Sequence, residues 1–268
     1  MTLPSTNEIT GRIVEKAKSL GADLAGVAGV DLIKQSPSHL IYPIMEHNTG
    51  VGSRESAQGI KPGEVAWPAG ARSAVVIAVE HKEDQPELDW WYGKKSPPGN
   101  RILMKINQML SAWIEETFQI TTHKLPYHVE KGGIFLKDAA VMAGLGCIGK
   151  GNILVTPEFG PRVRLRALLC DNEIASTGPT DFDPCADCAQ PCRQACPQSA
   201  FDKAVFDSAR MGLSDLPGRD GSFSRPTCNI QMQLDIDAAE EDIDPESGQK
   251  EKIIKYCRRC ELACPVGQ

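Results

Sequence analysis

Ten cysteines occupy this chain of 268 residues; none falls before Cys147, and eight crowd between Cys185 and Cys264. They run Cys185-Ala-Asp-Cys188-Ala-Gln-Pro-Cys192-Arg-Gln-Ala-Cys196-Pro197, then Cys228 alone, then Cys257-Arg-Arg-Cys260-Glu-Leu-Ala-Cys264-Pro265. Clustered thiols cross-link in an oxidising compartment or bind metal in a reducing one. The first twelve residues carry neither the basic stretch nor the apolar core of a secretory signal. The expectation is therefore a cytoplasmic chain whose reduced thiols hold metal in a small C-terminal module.

Both motifs end in C-x3-C-P, the ending used by bacterial two-cluster ferredoxins, where the fourth cysteine of each motif ligates the other cluster. The eight thiolates then divide without remainder into two [4Fe–4S] sites: Cys185, Cys188, Cys192 and Cys264 in one, Cys196, Cys228, Cys257 and Cys260 in the other. One departure from the ferredoxin spacing is the three residues, including Pro191, between Cys188 and Cys192. Paired all-cysteine zinc sites are the alternative, because C-x2-C knuckles also hold zinc tetrahedrally. Cys147 and Cys170 lie outside both motifs and read as small apolar residues.

Ahead of the module, the sequence predicts alternating helices and strands. Helices are expected over residues 10–20, 100–118 and 134–142, strands over 23–28, 73–80, 152–156 and 163–170, and a turn over 129–133. Residues 36–70, rich in Pro, Gly, Ser and His, read as long ordered loops over a surface or pocket. Trp90, Trp91 and Tyr92 form an aromatic cluster that belongs to a core or to a pocket wall. The charged stretch 235–252 reads as a solvated loop. The fold class expected is α/β or α+β, a sandwich over residues 1–175 followed by a cluster-stapled domain over 176–268. With 41% apolar residues a real core is available, and the apolar run at 74–79 is far too short to cross a bilayer. A net charge of −6 supplies no global field for a polyanion.

Between residues 137 and 150 the chain reads Lys-Asp-Ala-Ala-Val-Met-Ala-Gly-Leu-Gly-Cys-Ile-Gly-Lys. A helix precedes these glycines and a strand follows, the reverse of the strand-turn-helix order of a dinucleotide fingerprint. Without Cβ atoms, Gly144, Gly146 and Gly149 permit either a tight structural loop or close approach of the backbone to a flat ligand.

The octapeptide Ala143-Gly144-Leu145-Gly146-Cys147-Ile148-Gly149-Lys150, the run Leu154-Val-Thr-Pro-Glu-Phe-Gly-Pro-Arg-Val-Arg-Leu165 and the two cysteine motifs together resemble epoxyqueuosine reductases and the catalytic part of reductive dehalogenases. The resemblance implies a nitroreductase-like domain that binds cobalamin base-off and a ferredoxin-like domain that delivers electrons to it. It places Ala143 to Lys150 along the corrinoid, together with Thr156, Arg162 and Arg164 from the dehalogenase-like run. No D-x-H-x-x-G motif is present, so a histidine-ligated corrinoid is not indicated. The family's catalytic acid falls on Glu130, with Tyr127, His128 and Lys131 as neighbouring donors. The implied activity is a cobalamin-dependent iron–sulfur reductase of a small molecule, supplied by a low-potential donor such as ferredoxin or flavodoxin. The acidic balance, and the lack of a helical-repeat region after Cys264, make nucleic acid an unlikely partner; the lack of a twin-arginine signal disfavours respiratory dehalogenation. The alternatives are an electron-transfer or corrinoid-reactivating protein acting on a partner's cobalamin, and a corrinoid-binding protein without turnover.

Overall fold

A computed structural model describes residues 5–44, 64–93 and 95–268, without the side chains of Ile44 and Glu130. In chain order its elements are α1 (Thr6–Ser19), β1 (Leu24–Gly29), α2 (Val30–Lys34), α3 (Pro37–Ile41), β2 (Ser73–Glu80), β3 (Trp91–Tyr92), α4 (Pro98–Phe118), β4 (Thr122–His123), α5 (Leu136–Met142), β5 (Cys147–Ile148), β6 (Leu154–Val155), β7 (Val163–Cys170), α6 (Pro191–Gln194), α7 (Ser208–Met211), α8 (Arg225–Asp237), β8 (Glu240–Ile243), β9 (Lys250–Ile254) and α9 (Arg259–Leu262). Among the described residues no helix is long and apolar enough to cross a membrane.

The central sheet runs β1-β2-β7-β4 with every pair antiparallel, Val27 facing Val75 and Val76 facing Ala167. β2 is apolar at consecutive positions because both sheet faces are covered. Val75 and Ile77 pack with Ile13 of α1 and Leu103, Ile106, Leu110 and Ile114 of α4. Val76 and Ala78 pack on the opposite side with Ile33, Ala139, Ala140, Leu145 and Leu165. Period-2 alternation in the strands thus meets a 3.6-residue stripe in α4, and the result is a helix–sheet–helix sandwich. Ser5 caps α1, accepting a hydrogen bond from the Glu8 amide.

Two expectations need correction. Residues 36–44 are not loop: Ser36 and Pro37 start α3, and a 3-10 turn, Tyr42–Ile44, follows. Residues 45–63 of that expected loop lie outside the described residues. The charged stretch 235–252 is likewise not a solvated loop. It ends α8 and then forms the β8–β9 hairpin, whose second strand pairs with β3. A buried carboxylate organises the hairpin turn: Asp244, 1% exposed, accepts from Lys95 Nζ at 2.6 Å, from Ser247 Oγ at 2.7 Å and from the Glu246 amide at 3.0 Å. A charge pattern alone cannot separate such an anchored turn from a solvated one. Of the Trp90–Tyr92 cluster, Tyr92 is buried, Trp91 meets Tyr256 edge-on, and Lys255 sits 4.3 Å from the Trp90 ring centroid.

Candidate functional site

The thiols of the first motif converge because the chain turns twice within a few residues. Cys188 N–H bonds back to the Cys185 carbonyl, and Gln190 takes a left-handed conformation with φ 62°, after which Pro191 starts α6 carrying Cys192. The left-handed residue absorbs the extra position between Cys188 and Cys192. Cys264 arrives from the far end of the chain, just past α9, and is held there by Arg162. This buried guanidinium donates from Nη1 to the Cys264 carbonyl at 3.3 Å and from Nη2 to the Val266 carbonyl. Cys185, Cys188, Cys192 and Cys264 line one small cavity of about 20 Å³.

Cys196, Cys228, Cys257 and Cys260 line another. Cys228 is carried by α8, and Cys257 is fixed by its amide donating to Asp235 Oδ2 at 2.8 Å. This second cavity is much larger, about 470 Å³, and extends past the thiols to Tyr127, Lys137, Asn152, Arg164, Phe201 and Phe223. Burial pushes the Cys260 thiol up to about 12, so thiolates gathered here require a metal to compensate them. Four soft sulfur donors around each cavity, with no imidazole among the described residues lining either, form a donor set suited to iron–sulfur clusters. Among the described residues no group of His, Cys, Asp and Glu is arranged to hold a single metal ion. The larger cavity reaches beyond its four thiols to Tyr127 and Arg164, and its volume falls within the usual range of a small-molecule site.

The glycine-rich segment packs in large part against the chain itself. Ala143, Leu145 and Thr156 are buried in the protein, and none of them lines a cavity described here. Gly144, with φ 75°, lies where a Cβ would meet the Thr177 carbonyl at 2.9 Å, and a Cβ on Gly146 would collide with the Val155 carbonyl. These two glycines let one part of the chain pack on another. Thr156 closes the next turn, its Oγ1 donating to the Gly160 carbonyl at 3.0 Å. Gly149 and Lys150 do reach a site, but it is the first thiol cavity: a Cβ on Gly149 would lie 3.2 Å from Cys185 Sγ, and Lys150 Nζ donates to the Ala186 carbonyl at 3.2 Å. Cys147 and Ile148 line a third cavity, about 230 Å³, together with Ser38, Ile41, Asp138 and Arg219. There Arg219 donates to Cys147 Sγ at 3.4 Å and to the Ile148 carbonyl at 2.7 Å. Cys147 is therefore a half-buried hydrogen-bond acceptor, whereas Cys170 is fully buried, with burial pushing its thiol up to about 12.

Tyr127 and Arg164, by contrast, meet in the large cavity. Arg164 is gripped bidentately by Asp89, Nε at 2.9 Å and Nη2 at 3.0 Å, and by Glu261 at 2.9 Å. Arg258 joins the same carboxylates, 2.9 Å from Asp89, and His81 Nδ1 lies 2.6 Å from Asp89. Burial works to raise the Asp89 pKa, but the His81 hydrogen bond and both guanidiniums hold it below the usual carboxylate value. Arg166 stacks 5.8 Å from the Tyr127 ring centroid. Glu130 lies on a 3-10 turn, Val129–Lys131, close in sequence to Tyr127, but its side chain is outside the described residues. Sequence reasoning missed Asp89, Arg258 and Glu261 because their meaning is mutual. Only the Arg258/Glu261 spacing beside Cys260 offered a signal, and it reads equally well as a surface pair.

No protein-family model matches the chain. It is 40% identical over 224 residues to a tetrachloroethene reductive dehalogenase of Desulfitobacterium hafniense, covering 73% of this chain and 39% of that protein. It is 30% identical over 110 residues to an epoxyqueuosine reductase of Synechocystis sp., covering 41% of this chain and 37% of the relative. The chain thus spans well under half the length of these curated relatives. Its fold is similar to that of epoxyqueuosine reductase from Bacillus subtilis, with a TM-score of 0.64 at 18% identity, covering 98% of this chain and 66% of the other. It is equally similar to a catabolic reductive dehalogenase in complex with 3-bromo-4-hydroxybenzoic acid, TM-score 0.63 at 18% identity, covering all of this chain and 33% of that one. The homologues of this chain are reductive dehalogenases and epoxyqueuosine reductases.

Proposed function

We propose that this chain is a cobalamin-dependent iron–sulfur reductase of a small molecule, with residues 1–175 as a nitroreductase-like corrinoid-binding domain and 176–268 as a ferredoxin-like one. The observation that carries the reading is the sorting of eight thiols, seven from the two motifs and the lone Cys228, into two sets of four that each draw on both motifs, with the second set on the wall of a cavity that Tyr127 and Arg164 share. Cys185, Cys188, Cys192 and Cys264 would hold one [4Fe–4S] cluster and Cys196, Cys228, Cys257 and Cys260 the other. A base-off corrinoid would lie in the large cavity against Asn152, Ile153 and Arg164, and among the described residues no histidine lines it to act as a lower ligand. When bound, these groups supply single electrons and a strongly reducing cobalt centre.

The chain's own residues supply the rest. Tyr127, 37% exposed and lining the cavity, holds a phenolic proton for the reduced product, and Glu130 is the second candidate donor. Arg164 is locked by two carboxylates, so its orientation toward the cavity is fixed before substrate arrives. Arg162 seats Cys264 and with it completes the set of Cys185, Cys188 and Cys192. A relative bound to a tRNA stem loop is known among the epoxyqueuosine reductases. For this chain the net charge of −6 and the acidic β8, Glu240-Glu-Asp-Ile243, favour a small molecule. A low-potential donor such as ferredoxin or flavodoxin would feed the clusters.

Anaerobic reconstitution is the test. Iron and sulfide should each approach about eight per chain, and cob(II)alamin should shift its absorbance on titration. Tyr127→Phe should keep all three groups while losing turnover by roughly 10²-fold or more. Zinc without sulfide would overturn the cluster assignment, and absence of any corrinoid response would leave an electron carrier.

A further inference from the structure

Two cations of the large cavity form no ion pair with a carboxylate among the described residues. Lys137, on α5, directs its Nζ to the Asn152 carbonyl at 2.5 Å and forms no ion pair among the described residues. Arg225 opens α8, and its guanidinium has neither a hydrogen bond nor an ion pair among the described residues. The two are close enough to disfavour each other: burial lowers the Lys137 pKa, Asp138 opposes this, and Arg225 adds to the lowering. The other guanidiniums of the cavity, Arg164 and Arg258, are answered by Asp89 and Glu261. The positive end of the α8 dipole adds to the same side. Like charges held together in a half-buried site cost free energy unless an anion joins them, and a concave wall focuses their field. Flat apolar rings, Phe201 and Phe223, complete this wall.

We propose that Lys137 and Arg225 form an anion-binding pair, so that the molecule reduced in this cavity carries a carboxylate or similar oxyanion beside an apolar body. This rests on reading the cavity as the site of reduction. The same chemistry is offered by the phosphodiester of a corrinoid's nucleotide tail, and the test separates the two sources.

Cluster-loaded wild type, Lys137→Met and Arg225→Met are titrated calorimetrically with benzoate and with its neutral isostere benzamide. By absorbance they are titrated with cob(II)alamin and with cobinamide, which lacks the phosphodiester. The expected result is that wild type prefers benzoate by about tenfold or more, that each variant loses this preference, and that the two corrinoids bind alike throughout. A comparable preference for cob(II)alamin over cobinamide, lost in both variants, supports the pair with the corrinoid as its anion. If wild type shows neither preference, or both variants retain it, the proposal is overturned. It is likewise overturned if the variants change only the potential of the second cluster, since the cations would then be counter-charges to the thiolates near Arg225. Failure of the reductase reading looks different: neither corrinoid changes its spectrum with any of the three proteins.

Discussion

Replacing Asp89 by Asn should cost more than any other single polar change in the chain. Asp89 is the one carboxylate touching His81, Arg164 and Arg258 together, and its side chain is only 15% exposed. With the charge gone, two guanidiniums share Glu261 alone, in a site where neither is free to turn to water. Removing one partner of a buried ionic network costs about 3–5 kcal/mol. For a chain of this size that corresponds to a fall in Tm of roughly 5–9 °C. The assay is thermal unfolding followed by far-ultraviolet circular dichroism, wild type beside Asp89→Asn, at neutral pH. Acid gives an independent check. The folded-state pKa of Asp89 is depressed, so its contribution is present above the ordinary carboxylate pKa and is lost as pH falls below about 4. The variant should lack that part of the acid dependence. A fall in Tm under about 3 °C, or an unchanged acid limb, would refute the view that this network joins the sheet to the second cysteine motif.

Three further outcomes are expected. Cys264→Ser should alter the electron paramagnetic resonance of the cluster held by Cys185, Cys188 and Cys192, and a change confined to the other cluster would refute the mixed set. Gly146→Val should destabilise the fold by roughly 1–3 kcal/mol through collision with the Val155 carbonyl, whether or not corrinoid is present; a stable variant with impaired corrinoid binding alone would return Gly146 to the ligand site. His39, buried, hydrogen-bonded at both ring nitrogens and lowered by burial to about 4, is neutral in the folded state. Its contribution is full above the ordinary histidine pKa of about 6.5 and is lost as pH falls from there to about 4; His39→Phe should flatten the stability profile across that window, and an unchanged profile would exclude His39 as its source.

Much of the fold was legible because burial leaves a periodic trace. The strand at 73–80 and the strand at 163–170 are where apolar runs placed them, and α4 follows its apolar stripe to Phe118. The charged hairpin was not legible, because Asp244 is a buried anchor written in the same letters as a solvated acid. The glycine segment shows the same limit. A missing Cβ admits either a ligand or another stretch of chain, and sequence cannot say which; here the neighbours are the backbone at Val155 and at Thr177.

The cysteine spacing, by comparison, was informative because thiols at fixed intervals restrict which loops can close. Yet spacing alone does not bring Cys264 to the first motif. That is done by side chains of the sheet: Arg162, just before β7, holds the carbonyls of Cys264 and Val266, and Arg164, on β7, holds Glu261 one turn earlier. Arg258 returns the contact by donating to the His81 carbonyl at the end of β2 and by pairing with Asp89. A strand buried in the sandwich therefore sets the position of the last cysteine, and a shift at either arginine would be felt as a change in the geometry of the first thiol cavity. The run Gly160-Pro-Arg-Val-Arg164, whose arginines the resemblance places along a corrinoid, seats the C-terminal cysteine motif against the sheet. Only Arg164 also faces the large cavity, where it stands beside Tyr127.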